Sequence, residues 1–198
     1  MNIKRALTNA HGDAESLQLN DIDVKAEDIR AIMINEVVPG DADQDFYGKS
    51  GELYLSTTIP LFQRAGLPVN TIQDILNMGV YITNAVKTPK NAYQVEKSSI
   101  EESLAWLEKE IDLFPNVKVI MLMGDVAKKM FNQISKKHTG KNAIPSGATY
   151  KIRKTPFFMN GIRVIPSYIM TGGNILIEKS KCQMIEEDIR TMIGIIEE

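Results

Sequence analysis

The stretch Tyr81-Ile-Thr-Asn-Ala-Val-Lys87 decides how this 198-residue chain is read. An apolar run over residues 80–83 reaches polar Asn84 and then enters Lys87, Thr88, Pro89 and Lys90. A buried strand that delivers one amide-bearing side chain into a loop is how an α/β protein builds a site. The amide presents a donor and an acceptor side by side, which suits the edge of a base or another planar ligand. Asn also ends strands and caps turns, so the segment by itself leaves both readings open.

Outward from it, apolar runs at 29–35, 117–123 and 163–167 predict further buried strands, each ending in polar or loop-forming residues. Helical patterns separate them at 52–65, 71–77, 99–114, 125–136 and 178–196. Pro60 argues for a kink or break in the first. Thr71 or Asn70 caps the second. Ser98 and Ser99 with Glu101 and Glu102 form overlapping capping boxes on the third. Residues 148–153 and 157–159 read as short strands, with Asn160-Gly161 as a tight hairpin turn. Residues 1–28 are polar and weakly patterned and read as an irregular or partly helical arm before a single domain, 29–198. Strands alternating with helices predict an α/β fold, a three-layer α/β/α sandwich with a mainly parallel central sheet. Ligands bind such sheets at the carboxyl ends of the strands. Three ends carry the chemistry: Asn35-Glu36, Asn84 and Ser167-Tyr168.

Composition narrows the function. The net charge of −2 offers no global attraction to nucleic acid or anionic lipid, so polyanion binding needs a local basic face. A single cysteine, Cys182, excludes a disulfide framework and a four-cysteine zinc or iron–sulfur site, and falls on the apolar side of the last helix. With only His11 and His138 besides, no metal and no cofactor are expected. No signal peptide opens the sequence and no apolar run reaches membrane-spanning length, so a cytoplasmic protein without membrane contact is expected. No Gly-x-Gly-x-x-Gly or phosphate-loop sequence follows a predicted strand, which argues against a dinucleotide enzyme.

Glu36 is a strand-end carboxylate, able to orient or deprotonate a water or to satisfy backbone amides in the loop that follows. Phe46 and Tyr47 sit in a loop rich in Gly and Asp, where either stacks on a planar ligand or plugs the loop onto the core. Thr171-Gly172-Gly173-Asn174 is a loop whose amides suit a phosphate. Lys49, Lys87, Lys90, Lys151, Arg153, Lys154 and Arg163 lie in or near the same loops and form either a basic rim or a solvated surface. Lys128, Lys129, Lys136 and Lys137 read as a helix surface and its carboxyl end.

Taken in order, these segments resemble the uracil-DNA glycosylase superfamily, especially its thermostable iron–sulfur class. The family's Gly-Glu-Ala-Pro-Gly is similar to Asn35-Glu36-Val37-Val38-Pro39-Gly40. Its Pro-Phe-Val-Gly-Arg-Ala-Gly is similar to Asp45-Phe46-Tyr47-Gly48-Lys49-Ser50-Gly51. Its Tyr-Ile-Thr-Asn-Val-Val-Lys matches Tyr81–Lys87 almost residue for residue. A strand followed by Leu-Gly-x-x-Ala resembles Leu122-Met123-Gly124-Asp125-Val126-Ala127. The resemblance implies that Phe46, with Tyr47 beside it, stacks on an extruded base and that Asn84 reads its polar edge. It implies that Glu36 lies near the attacking water; Lys49, Lys87, Thr171, Gly172 and Gly173, from the loop reading above, are the candidates to meet phosphate. The partner would be DNA, single-stranded or damaged, or a free nucleobase. The chemistry would be hydrolysis of the N-glycosidic bond of a deaminated base, with a non-catalytic nucleobase or nucleic-acid binder of the same fold as the alternative. Two departures stand out. The family's Pro-Thr-Tyr-His-Pro-Ser appears as Pro166-Ser167-Tyr168-Ile169-Met170-Thr171, so Ile169 replaces the His that donates to the leaving base. The cluster cysteines are also absent. Tyr168 or a backbone amide of residues 171–174 is the candidate replacement donor.

Overall fold

The computed structural model describes residues 1–12, 14–49, 53–90 and 95–198. Ser50, Gly51 and Glu52, which the sequence reading placed in a loop and at a helix start, lie outside the described residues. Among the described residues, five strands form one sheet: β1 (Ala31–Val37), β2 (Val80–Val86), β3 (Val119–Met123), β4 (Phe157–Met159) and β5 (Ile162–Ser167). Their order is β2-β1-β3-β5-β4, with β2, β1, β3 and β5 parallel and β4 antiparallel to β5. Asn160 and Gly161 both take positive φ, 49° and 83°, as a two-residue hairpin turn between β4 and β5 requires.

The two-residue period of a strand explains the layers. Ile32, Ile34, Tyr81, Ile120 and Leu122 face one core, shared with α1 (Ile3–His11), α4 (Lys97–Asp112) and α5 (Asp125–Thr139). Ala31, Met33, Val80, Ile82 and Met121 face the other, shared with α2 (Leu55–Arg64), α3 (Ile72–Asn77) and α7 (Lys179–Glu197). The result is the three-layer α/β/α sandwich with a mainly parallel sheet that the alternation predicts. Each fully buried aliphatic side chain contributes on the order of 1.5–3 kcal/mol, so the two apolar faces of the sheet carry the fold.

The amino-terminal segment packs into this frame. The Asn2 side chain caps α1 by accepting from the Arg5 amide at 2.9 Å, and Ile3 and Leu7 are fully buried. Asn20, further along the same segment, donates to the Tyr81 hydroxyl at 2.7 Å.

Several local expectations change. Residues 148–153 form no strand; they contain the short helix α6 (Thr149–Ile152). Tertiary anchors override the β-formers there, since Thr149 accepts from Lys128 Nζ at 2.8 Å and Arg153 is bound to α7. α4 begins at Lys97, with Glu96 at the cap position and no side-chain cap bond, so Ser98 and Ser99 fall inside the first turn. α2 continues past Pro60 because Leu61 and Phe62 are fully buried beside it. Of the two caps the sequence offers for α3, Thr71 takes the position, and it forms a capping box with Asp74 as its reciprocal partner. Lys128 is a buried residue rather than a surface one.

Candidate functional site

The helix after β1 packs on one face of the sheet and the helix after β3 on the other. The carboxyl ends of neighbouring β1 and β3 therefore part at a topological switch point, where open α/β sheets place their ligand crevice. Glu36 and Gly124 meet there. Glu36 Oε1 accepts from the Val126 amide in the first turn of α5 at 2.9 Å. Gly124 has φ 102°, and a Cβ on it would stand 2.3 Å from Glu36 Oε1 and 2.6 Å from Ile169 Cγ1. Only glycine lets the carboxylate and Ile169 close over this turn. Burial raises the pKa of Glu36 above the usual carboxylate value, and the Val126 amide counteracts part of that.

Glu36 opens onto a cleft of about 580 Å³. Its walls are Tyr150 of α6, the loop carrying Tyr168, Ile169, Gly172 and Gly173, and Lys181 near the start of α7. Tyr150 is 60% exposed, and Lys181 Nζ lies 6.0 Å over the Tyr168 ring. The Tyr168 hydroxyl points to Met184 Sδ at 3.7 Å. Ile169, 37% exposed, separates this cleft from a second of about 390 Å³ that Asn35, Glu36, Tyr54, Lys90 and Thr171 help to line. The walls are held from behind. Ser167 donates to Asp188 Oδ2 at 2.7 Å, and Arg153, at the end of α6, donates to Asp188 Oδ1 at 3.0 Å. One carboxylate of α7 thus ties α6 to the end of β5. Burial pushes the pKa of Asp188 up to about 6.

Asn84 is elsewhere. β2 runs on to Val86, so Asn84 is a strand residue, paired in register with Asn35. It shares the parity of Val80 and Ile82, toward α2, whereas Glu36 shares that of Ile32 and Ile34, toward α5. Asn84 is 1% exposed. Its Nδ2 donates to both oxygens of Asp45, at 3.0 and 2.9 Å, and its Oδ1 accepts from Asn35 Nδ2 at 2.8 Å. Thr171 continues the chain weakly, donating to Asn35 Oδ1 at 3.5 Å. Burial raises the pKa of Asp45 as well.

The sequence-predicted residues therefore divide. Glu36, Tyr168, Gly172 and Gly173 line the main cleft, and Thr171 lines the neighbouring one. Phe46 corrects the expectation of an exposed stacking ring: it is 1% exposed and packs against Tyr54 at 5.2 Å, inside the core. Tyr47 also faces inward, stacked on Tyr81, its hydroxyl accepting from the Ile82 amide at 3.0 Å. Lys87 corrects the phosphate expectation. Its ammonium is buried on Glu110 and donates to Thr83 at 2.8 Å, because β2 carries it toward α4 instead of into a loop. Lys49 is exposed on the loop after Phe46 and lines neither cleft. Tyr150, Lys181, Asp45 and Asp188 were missed by sequence reasoning. Asp45 had a signal, a carboxylate where the family motif has Pro; Tyr150 was hidden by the strand reading of its segment.

Among the described residues, no group of three or more His, Cys, Asp or Glu is placed to hold a metal ion, and no helix is long and apolar enough to cross a membrane. The sequence profile of the Uracil DNA glycosylase superfamily matches residues 37–183, most of the chain, and the protein belongs to that superfamily. None of the curated proteins compared with the chain matches it.

Proposed function

We propose that this protein is a nucleobase- or nucleic-acid-binding member of the superfamily that holds its ligand in the cleft of Glu36, Tyr150 and Tyr168 without releasing uracil. One observation carries the reading: Asn84 is buried, bound to Asp45 and Asn35, and lines neither cleft, so the group the family resemblance assigns to the base edge is turned into the core rather than toward a ligand. Ile169 supports it from the other side. A side chain with no hydrogen-bonding atom stands where a donor to the leaving base would be, and losing such a donor typically costs ~10²–10³ in rate. The two tyrosines offer faces for base stacking, sequence-tolerant at about 1–3 kcal/mol per base.

The test pairs binding with cleavage. Fluorescence anisotropy with short single-stranded oligonucleotides is expected to give salt-sensitive binding that Tyr150→Ala weakens. A panel of uracil-, hypoxanthine- and xanthine-containing strands is expected to release no base. Release of base that disappears in Glu36→Gln would establish the second reading, a glycosylase of altered specificity. That reading is favoured by the Glu36 carboxylate, whose raised pKa and place on the cleft wall suit activation of a water. Ile169→His separates the two further: with Asn84 still held by Asp45, uracil release is expected to stay undetectable in this variant.

A further inference from the structure

Beside the cleft, and separated from it only by Asp125 and Gly147, which line both, runs a groove of about 440 Å³ between α5 and residues 142–147. Its floor is helical: Lys129, Gln133 and Lys136 stand at i, i+4 and i+7 on α5 and so share one face. The opposite wall is stapled in place. Asn132 donates to the Ile144 carbonyl at 2.8 Å and accepts from the Ile144 amide at 2.9 Å, while Ser135 donates to the Lys141 carbonyl at 2.9 Å.

The charges in this groove are arranged unequally. Asp125, the one carboxylate among its described lining residues, is paired with Lys128 at 2.6 Å. Lys137 turns away to Glu108 at 2.8 Å. Lys129 and Lys136 are exposed and line the groove. In a chain of net charge −2 this is a local cationic track, and it leads into the cleft.

We infer that this groove carries the phosphate backbone of a single-stranded nucleic acid whose base lies in the adjoining cleft; the inference rests on the binding reading above and adds a direction to it. Lysines about two helical turns apart meet phosphates some 10 Å apart, and the amides of Gln133 and Asn142 add polar contacts that suit a sugar–phosphate chain. The apolar lining of the groove is buried Ile144 and the small exposed ring of Pro145, and none of its described lining residues is a large exposed hydrophobic of the kind that anchors a bound peptide.

The experiment compares two labelled ligands on the intact protein: a thymidine trinucleotide, which fills only the cleft, and an oligothymidylate of about 20 nucleotides, which reaches the groove. Lys129→Ala/Lys136→Ala is expected to weaken the long ligand about tenfold at ~50 mM salt and to lower its salt slope by about 1–2, leaving the trinucleotide unchanged. Unchanged binding of the long ligand would overturn the groove while leaving the cleft reading intact. Equal loss for both ligands would also overturn it. Lysine-dependent binding of the long strand with no trinucleotide binding would keep the groove and remove the cleft reading. Poly-glutamate competing as well as the oligonucleotide would overturn the assignment to nucleic acid.

Discussion

Asn84 donates its side-chain amide to both carboxylate oxygens of Asp45, at 3.0 and 2.9 Å, where both residues are buried. The pairing makes Asn84 a structural partner of a buried carboxylate. Removing the amide strands that carboxylate, so Asn84→Ala is expected to destabilise the fold by about 3 kcal/mol. Urea denaturation of Asn84→Ala, Asp45→Ala and the double variant is expected to show a coupling of about 1–3 kcal/mol, as contacting pairs do. An Asn84→Ala protein of unchanged stability that has lost ligand binding would instead mark Asn84 as a reader of the ligand.

Gly124 fixes the floor of the cleft. Its φ of 102° disfavours any side chain, and a methyl group there would collide with the Glu36 carboxylate and with Ile169. Gly124→Ala is expected to cost about 2 kcal/mol or more in thermal denaturation and to weaken oligonucleotide binding by displacing Glu36. Gly172→Ala is the matched control. Nothing lies within 4 Å of a Cβ at that position, so its stability is expected to stay near that of the parent protein.

The buried Lys87–Glu110 pair makes a prediction that separates structure from phosphate binding. Glu110 accepts from Tyr81 at 2.6 Å and from Thr83 at 2.9 Å as well as from Lys87, so its removal leaves a buried ammonium without its counter-charge and takes the acceptor from two hydroxyls. Glu110→Leu is expected to destabilise by about 3–5 kcal/mol, with Lys87→Met/Glu110→Leu recovering a large part of it. Lys87→Met by itself is expected to leave the salt dependence of oligonucleotide binding unaltered, whereas a phosphate contact would lower the slope by nearly one.

How far the sequence carried the reading follows from the kind of signal each residue gives. β1, β2, β3 and β5 were legible because fully buried parallel strands are short continuous apolar runs. The cleft at the carboxyl ends was legible for the same reason, since Glu36 and the 167–173 loop follow from strand order alone. The polarity of Asn84 marks the end of an apolar run, yet β2 continues through it to Val86. Once β2 extends to Val86, the period of two puts Asn84 and Glu36 on opposite faces, and no sequence spacing displays that. Lys87 looked exposed because its partner Glu110 is 23 residues away on α4, a contact that only the folded sheet creates. Residues 148–153 carry Tyr150 and Ile152, which favour strands locally; the contacts that make them helical, Lys128–Thr149 and Arg153–Asp188, are long-range. Lys129, Lys136 and Lys137 lie on an exposed helix face as their pattern predicts, Lys128 does not, and the groove beside them needs the stapled 142–147 wall.

Asp188 supplies the pH dependence. It is buried against Arg153 and Ser167, with Glu187 on the same side, and burial holds its pKa at about 6, above the ordinary carboxylate value of 3.8. A folded-state pKa above the unfolded one means that the folded protein binds the extra proton between these values. The stability contributed by this group is therefore full below about pH 4 and is lost as the pH rises through about 6. Glu187, whose pKa its hydrogen bond to Arg153 lowers, acts in the opposite sense, but below the ordinary carboxylate range. Between roughly pH 4.5 and 7 the Asp188 effect is thus free of Glu187, with a span of at most about 3 kcal/mol. Urea midpoints measured across that window are expected to fall with rising pH in the parent protein and to fall less steeply in Asp188→Asn. The amide cannot titrate, yet its oxygen still accepts from Ser167, so the end of β5 keeps its tether to α7. A slope unchanged in Asp188→Asn would move the titration to Glu36 or Asp45, the other carboxylates whose burial raises their pKa.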